Sequence, residues 1–134
     1  MVYAIVEKNN QILLKKNAGG KYAFSLPSGE LSSLDSMEEF ARKKTLEQTG
    51  LDIQTKFMMG VYQTISGEDN LIQVIYLSHQ SNPSEEKKLG ETLVLLNKDD
   101  FAAIAEESMP ANEFKSITQY FNLIGMSNEF IKKV

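Results

Sequence analysis

Lys44, Glu47 and Gln48 bring an ammonium, a carboxylate and an amide together in the stretch Gly29 to Leu51, GELSSLDSMEEFARKKTLEQTGL. Ser36 and Glu39 have the spacing of a capping box and Gly50 is a natural stop, which predicts a helix from residue 36 to about 48. At about 100° per residue, Met37, Phe40 and Ala41 share one arc, and Lys44, Glu47 and Gln48 fall on the same arc one to two turns later. The side that should stay apolar turns polar. Such an arc is either the solvated end of a surface helix or the wall of a site where these groups meet a charged ligand.

The elements that must position this helix follow from pattern. VYAIVEK (2–8) and QILLKK (11–16) read as strands joined at Asn9-Asn10, a pair that tolerates left-handed backbone. YAFSLPSGEL (22–31) alternates like a strand and breaks at Pro27 and Gly29. Residues 53–66 and 71–80 flank Gly67-Glu68-Asp69-Asn70 as a longer hairpin. A polar loop (82–91), a strand (92–97) and a short acidic-started helix (99–108) come next. In the final helix (112–125), Phe114, Ile117, Phe121 and Ile124 recur at helical spacing, Asn112 is placed to cap the start and Gly125 the end. No linker, repeat or low-complexity tract divides residues 1–134, so one mixed α/β layer structure is expected.

Composition narrows the function. The 134 residues with 42% hydrophobic content suit one domain with a core. With no cysteine, neither a disulfide framework nor a thiolate metal site is available, which fits a reducing cytosol, and any metal must be held by oxygens or by His79. No apolar run approaches the length of a membrane span and no basic leader opens the chain, so a soluble, untargeted, cytoplasmic protein is expected. Fourteen basic against eighteen acidic residues give a net charge of −4 without a basic stripe, which argues against a nucleic acid polymer as partner. Gly19-Gly20 lacks the strand-to-helix setting of a phosphate loop.

The stretch Gly29–Leu51 resembles the Nudix box of the Nudix (MutT-like) hydrolases: Gly, five residues, Glu, seven residues, then Arg-Glu-aliphatic-any-Glu-Glu-any-Gly-aliphatic. Gly29, Glu47, Gly50 and Leu51 match the pattern. Asp35 stands for its first glutamate, Lys43 for the arginine, Lys44 for the next glutamate, Thr45 for the aliphatic and Gln48 for the last glutamate. The order of elements is similar along essentially the whole chain. The resemblance implies a Nudix-type α/β/α sandwich with a mixed sheet, and a small nucleotide-like or pyrophosphate ligand. It also implies cleavage of a pyrophosphate linkage in a nucleoside diphosphate derivative, with magnesium as the cofactor if the protein is active.

In that family the glutamates corresponding to Lys44, Glu47 and Gln48 supply much of the metal ligation. Here their formal charges are +1, −1 and 0, where the pattern gives −3. Like charges about 4 Å apart repel by about 4 kcal/mol at an effective dielectric near 20, and a dication doubles that. The expectation is that Lys44, helped by Lys43, binds phosphate directly while hydrolysis is weak or lost. The alternative is an active magnesium site from Glu47, Gln48 and Asp35 or Glu30, with a loop carboxylate among Glu85, Glu86 and Glu91. Glu86 is the nearest in position to the family's loop glutamate, and Glu47 and Glu86 would then be the catalytic carboxylates. A third reading is a protein-interaction module with a vestigial pocket and an apolar patch on the C-terminal helices. Tyr62 and Tyr76 either flank a base or, as strand residues do by default, pack the sheet; Met58-Met59 read as core, His79 as an exposed or core-edge residue and Arg42 as a surface charge.

Overall fold

The computed structural model describes residues 1–32, 34–82 and 88–132. Its elements are β1 (Val2–Lys8), β2 (Gln11–Lys16), β3 (Phe24–Ser25), β4 (Ser28–Gly29), α1 (Met37–Thr49), β5 (Ile53–Ser66), β6 (Asp69–Gln80), β7 (Leu93–Leu96), α2 (Lys98–Ala102), a 3-10 turn (Glu106–Ser108) and α3 (Ala111–Lys132). The strands form one mixed sheet in the order β3-β2-β1-β6-β5, with β4 paired to β1 and β7 to β2. Only the β1–β6 ladder is parallel among the described pairs, running from Val2 opposite Val74 to Glu7 opposite His79.

Alternation along β1 sends its residues to opposite faces. Tyr3 and Ile5 join Ile75, Leu77, Phe101, Ile117, Tyr120 and Phe121 under α2 and α3. On the other face, Val2 packs with Phe40, Ala41, Val74 and Tyr76 beneath α1, while Ala4 and Val6 pack with Leu51 and Ile53. The layers are therefore helix, sheet, helix, the α/β/α sandwich expected. Asn9 and Asn10 take φ of 53° and 62°, the left-handed turn that asparagine tolerates.

Several expectations are corrected. The strand expected over 22–31 is two short pieces, because Pro27 has no N–H and Leu26 gives its own N–H to Glu113 Oε1 at 2.8 Å instead of to a neighbouring strand. The hairpin turn is tighter than 67–70, since Asp69 already pairs with Ser66. The helix expected over 99–108 stops at Ala102, where Ala103 and Ile104 donate to carbonyls three residues back, and residues 106–108 wind separately before Pro110. Asn112 does not cap α3. Its Nδ2 donates to Gln73 Oε1 at 2.7 Å, satisfying an amide only 8% exposed. Met58 is 45% exposed rather than packed.

Gly125 does not end α3, which continues through it to Lys132. A Cβ built there meets nothing within 4 Å among the described residues. Gly125→Ala should therefore stabilise the protein by about 0.5–1 kcal/mol, through the unfolded chain's lost freedom, measured as a higher midpoint in urea.

Candidate functional site

The box helix starts and stops where sequence chemistry places it. Ser36 Oγ accepts the Glu39 N–H at 3.2 Å, and Gly50 closes the end at φ 76°. Its buried stripe is Phe40, Ala41 and Thr45, so the core side does continue past Ala41, by way of Thr45. Lys44 and Gln48 lie half-buried on its flank and Glu47 points outward, a rotation from the expected arc. Thr45 Oγ1 is buried without a hydrogen-bond partner among the described residues.

The segment Leu26–Gly29 runs against this flank and is held at every residue. Glu113 takes the Leu26 N–H, and Ala4 N donates to Pro27 O at 3.0 Å. Gln48 grips Ser28 on both sides, its Oε1 accepting from Ser28 N at 3.1 Å and its Nε2 donating to Ser28 O at 2.6 Å. Gly29 pairs with Val2. A Cβ on Gly29 would fall 2.9 Å from Lys44 Cγ and 3.1 Å from Phe40 Cε1, so the glycine is required by close approach of the lysine stem and not by its backbone angle.

At the exposed end, Lys44 Nζ stands 3.3 Å from Glu47 Oε2 and 5.7 Å from the centre of the Phe40 ring. The Lys44 side chain is 34% exposed and that of Glu47 67%, so solvent screens the pair and its net strength is at most about 1 kcal/mol. Lys43 is turned the other way. Its Nζ donates to Asp35 Oδ2 at 2.8 Å, and this hydrogen bond together with the carboxylate's charge raises the ammonium's pKa. Glu47 lies eleven residues beyond Ser36, or about 16 Å along the axis at 1.5 Å per residue, so Asp35 and Glu47 serve opposite ends of the helix. Arg42 is bound to Asp52 at 2.7 Å.

The donor set does not fit a caged magnesium ion among the described residues. Glu47 already faces an ammonium, the Gln48 amide is spent on Ser28, and Asp35 is at the far end. No group of three His, Cys, Asp or Glu residues is arranged to hold a metal among the described residues. Glu91 is an exposed loop residue, and Glu85 and Glu86 lie outside the described residues.

Glu113, in the first turn of α3, is a site residue that the sequence pattern did not single out. It is 3% exposed. Burial lifts its pKa to about 7 against the opposing pull of the Leu26 N–H and of Lys15. Burial also raises the Tyr3 phenol, against the hydrogen bond it accepts from Gln73 Nε2 at 2.7 Å and with a smaller push from the Glu113 charge. Nothing in the local pattern distinguishes it from a solvated first-turn acid, because its partner is 87 residues away.

Two outcomes follow from this geometry. Gln48→Glu removes the donor to Ser28 O and sets a carboxylate against that carbonyl, so it should lower stability by about 1–3 kcal/mol in chemical denaturation, while Gln48→Ala costs no more. Glu113 binds its proton more tightly folded than unfolded, so its contribution is full below about pH 4.5 and lost as pH rises through about 7. The loss is about 3 kcal/mol at most at 1.36 kcal/mol per unit. Glu113→Gln should flatten the fall in unfolding free energy between pH 5 and 8 seen with the native chain.

No protein-family model matches the chain. It is 38% identical over 65 residues to an ADP-ribose pyrophosphatase of Methanocaldococcus jannaschii, a match covering 47% of this chain and only 38% of that protein's length. Among solved structures it is similar to a Nudix hydrolase from Nitrosomonas europaea, with a TM-score of 0.69 and 17% identity over 89% of this chain and 85% of that one. A MutT protein from Methanosarcina mazei Go1 superposes with a TM-score of 0.63 at 16% identity, covering 92% of each chain. With helices on both faces of the mixed sheet and the box helix laid against the Leu26–Gly29 segment, the chain has the fold of the Nudix hydrolases.

Proposed function

We propose that the chain is a Nudix-fold domain that binds the pyrophosphate of a nucleoside diphosphate-linked compound, and that its pyrophosphohydrolase activity is weak or lost. The observation that carries this reading is the Lys44 ammonium 3.3 Å from Glu47, the one acid left at the three box positions where the family has glutamates. A dication entering there must displace or approach a fixed positive charge, whereas a phosphate oxygen gains a charge-assisted hydrogen bond from it. The ammonium supplies no activated water, so binding and hydrolysis separate in this chain. Lys43, held by Asp35, is a weaker candidate for a second phosphate contact. The name of the archaeal relative makes ADP-ribose the first compound to test.

A second reading, a working magnesium-dependent pyrophosphohydrolase, is favoured by the exposure of Glu47, whose side chain is free to leave a screened ion pair.

Calorimetric titration with ADP-ribose and magnesium, alongside AMP formation, separates the two. The native protein should bind ADP-ribose in the presence of a chelator and form AMP slowly with magnesium. Lys44→Glu should lose that metal-free binding and gain about tenfold or more in magnesium affinity, a conservative figure for removing one charge and adding its opposite. Rapid magnesium-dependent AMP formation by the native protein overturns the proposal.

A further inference from the structure

Glu113 is a buried carboxylate without an ion-pair partner among the described residues, since no lysine, arginine or histidine nitrogen lies within 4.0 Å of it. What it holds is the Leu26 N–H, at 2.8 Å. Such a carboxyl group is favoured neutral, because ionisation in place forfeits hydration that one hydrogen bond does not replace. The titratable and charged groups facing it are Lys15 of β2, whose charge favours ionisation, and Tyr3 of β1. Gln73 and Asn112, bonded to each other beside Tyr3, are uncharged, and Leu26–Gly29 brings no charge. On α3 itself Lys115 is turned to the Tyr62 ring.

The Leu26–Glu113 bond lies at the root of a cleft. One wall carries Lys21 and Tyr22, on the loop from β2 to β3, and the other carries Glu106, Glu107, Met109 and Ala111, around a volume of about 380 Å³. Leu26 comes four residues after Tyr22 and Glu113 two after Ala111, so this bond joins the two walls. The loop otherwise closes on itself, with Asn17 Nδ2 donating to Tyr22 O at 3.1 Å and Asn17 N to Ala23 O at 2.8 Å. Residues 106–109 bond within their own turn, and no other hydrogen bond crosses between the walls among the described residues.

The far end of the same segment is held differently. Gln48 of α1 takes both backbone groups of Ser28, Ala4 N donates to Pro27 O, and Gly29 pairs with Val2. None of these holds involves a titratable group. Loss of the Leu26–Glu113 bond therefore detaches the segment from α3 and leaves it on α1 and β1, with the Lys44 stem still seated against Gly29.

We propose that Leu26 and Glu113 form a proton-operated clasp: the neutral carboxyl shuts the cleft, and on ionisation Glu113 turns to solvent, the loop swings off α3 about Ser28, and Met109 is uncovered. Linkage fixes the sense. Burial holds the Glu113 pKa at about 7 in the closed form, so closure is favoured below that pH and the open fraction grows as pH rises through it. With the open form's carboxyl near the ordinary 4.5, the open fraction is about tenfold greater at pH 8 than at pH 6. The clasp does not depend on the reading of Lys44 as a phosphate contact, because it leaves that lysine's seat in place.

Amide hydrogen exchange of the full chain, followed by NMR at about pH 6 and pH 8 and normalised to unstructured-chain rates, tests the clasp. The Leu26 amide should open more often than the β1–β6 ladder, and about tenfold more often at the higher pH. Ser28, held by Gln48, should follow the ladder. Glu113→Gln keeps an acceptor for the Leu26 N–H and cannot ionise, so Leu26 protection should be equal at the two pH values. Met109, 1% exposed, should form sulfoxide with dilute hydrogen peroxide faster at the higher pH, relative to Met126 at 68% exposure, in the native chain but not in the variant. Native Leu26 protection that is unchanged between the two pH values, or that equals the ladder's, overturns the proposal without recourse to the variant. So does a pH-dependent change that survives Glu113→Gln.

Discussion

The fold hangs on how four residues, Leu26 to Gly29, are held between the two helical layers. A strand that donates its hydrogen bonds to side chains instead of to a neighbouring strand has left the ladder, and something must satisfy those groups. Glu113 from α3 takes the Leu26 N–H, and Gln48 from α1 takes both groups of Ser28. The sheet's own contribution is Ala4 N to Pro27 O and the Val2–Gly29 pairing. One segment thus ties the helix on one face to the helix on the other, and the price is a carboxylate buried at 3% exposure.

This clasp decides what the box helix can offer a ligand. Gln48 is committed to the backbone, so its amide is structural before it is anything else. Gly29 admits the Lys44 stem to within contact of the strap, and the Phe40 ring lies under the same lysine. With its stem fixed this way, the ammonium is directed to the helix's exposed end beside Glu47. The polar flank is therefore divided, with an inner amide that holds the fold and an outer cation that faces solvent.

The polar layer under α3 shows the same economy. Asn112, Gln73 and Tyr3 form a chain of side-chain hydrogen bonds, and Tyr62 meets Ser116 beside it. Buried polar groups are costly unless paired, and these are paired largely with one another across the sheet–helix boundary. The apolar residues that remain uncovered among the described residues gather mainly on the β5–β6 hairpin, with Leu123 and Met126 on α3.

The sequence by itself determined the periodic and the local. The β1 and β2 spans, the left-handed Asn9-Asn10 turn, the Ser36 cap and the Gly50 stop were all legible, because each depends on residues within a turn or a pleat of one another. The spacing of Gly29, Glu47, Gly50 and Leu51 carried the Nudix resemblance, and with it the sandwich. What tertiary structure decided was the fate of individual polar groups. Glu113 looked like any first-turn acid, Asn112 like a cap and Gln48 like a glutamate with one charge missing. Their partners Leu26, Gln73 and Ser28 lie 87, 39 and 20 residues away in the chain. Gly125 stayed helical for the related reason that a packed helix face outweighs the roughly 1 kcal/mol that glycine costs in its interior. Hydrogen bonds between residues so far apart in sequence leave no periodic trace, so only the folded chain reveals which polar side chains are already spent and which remain for a ligand.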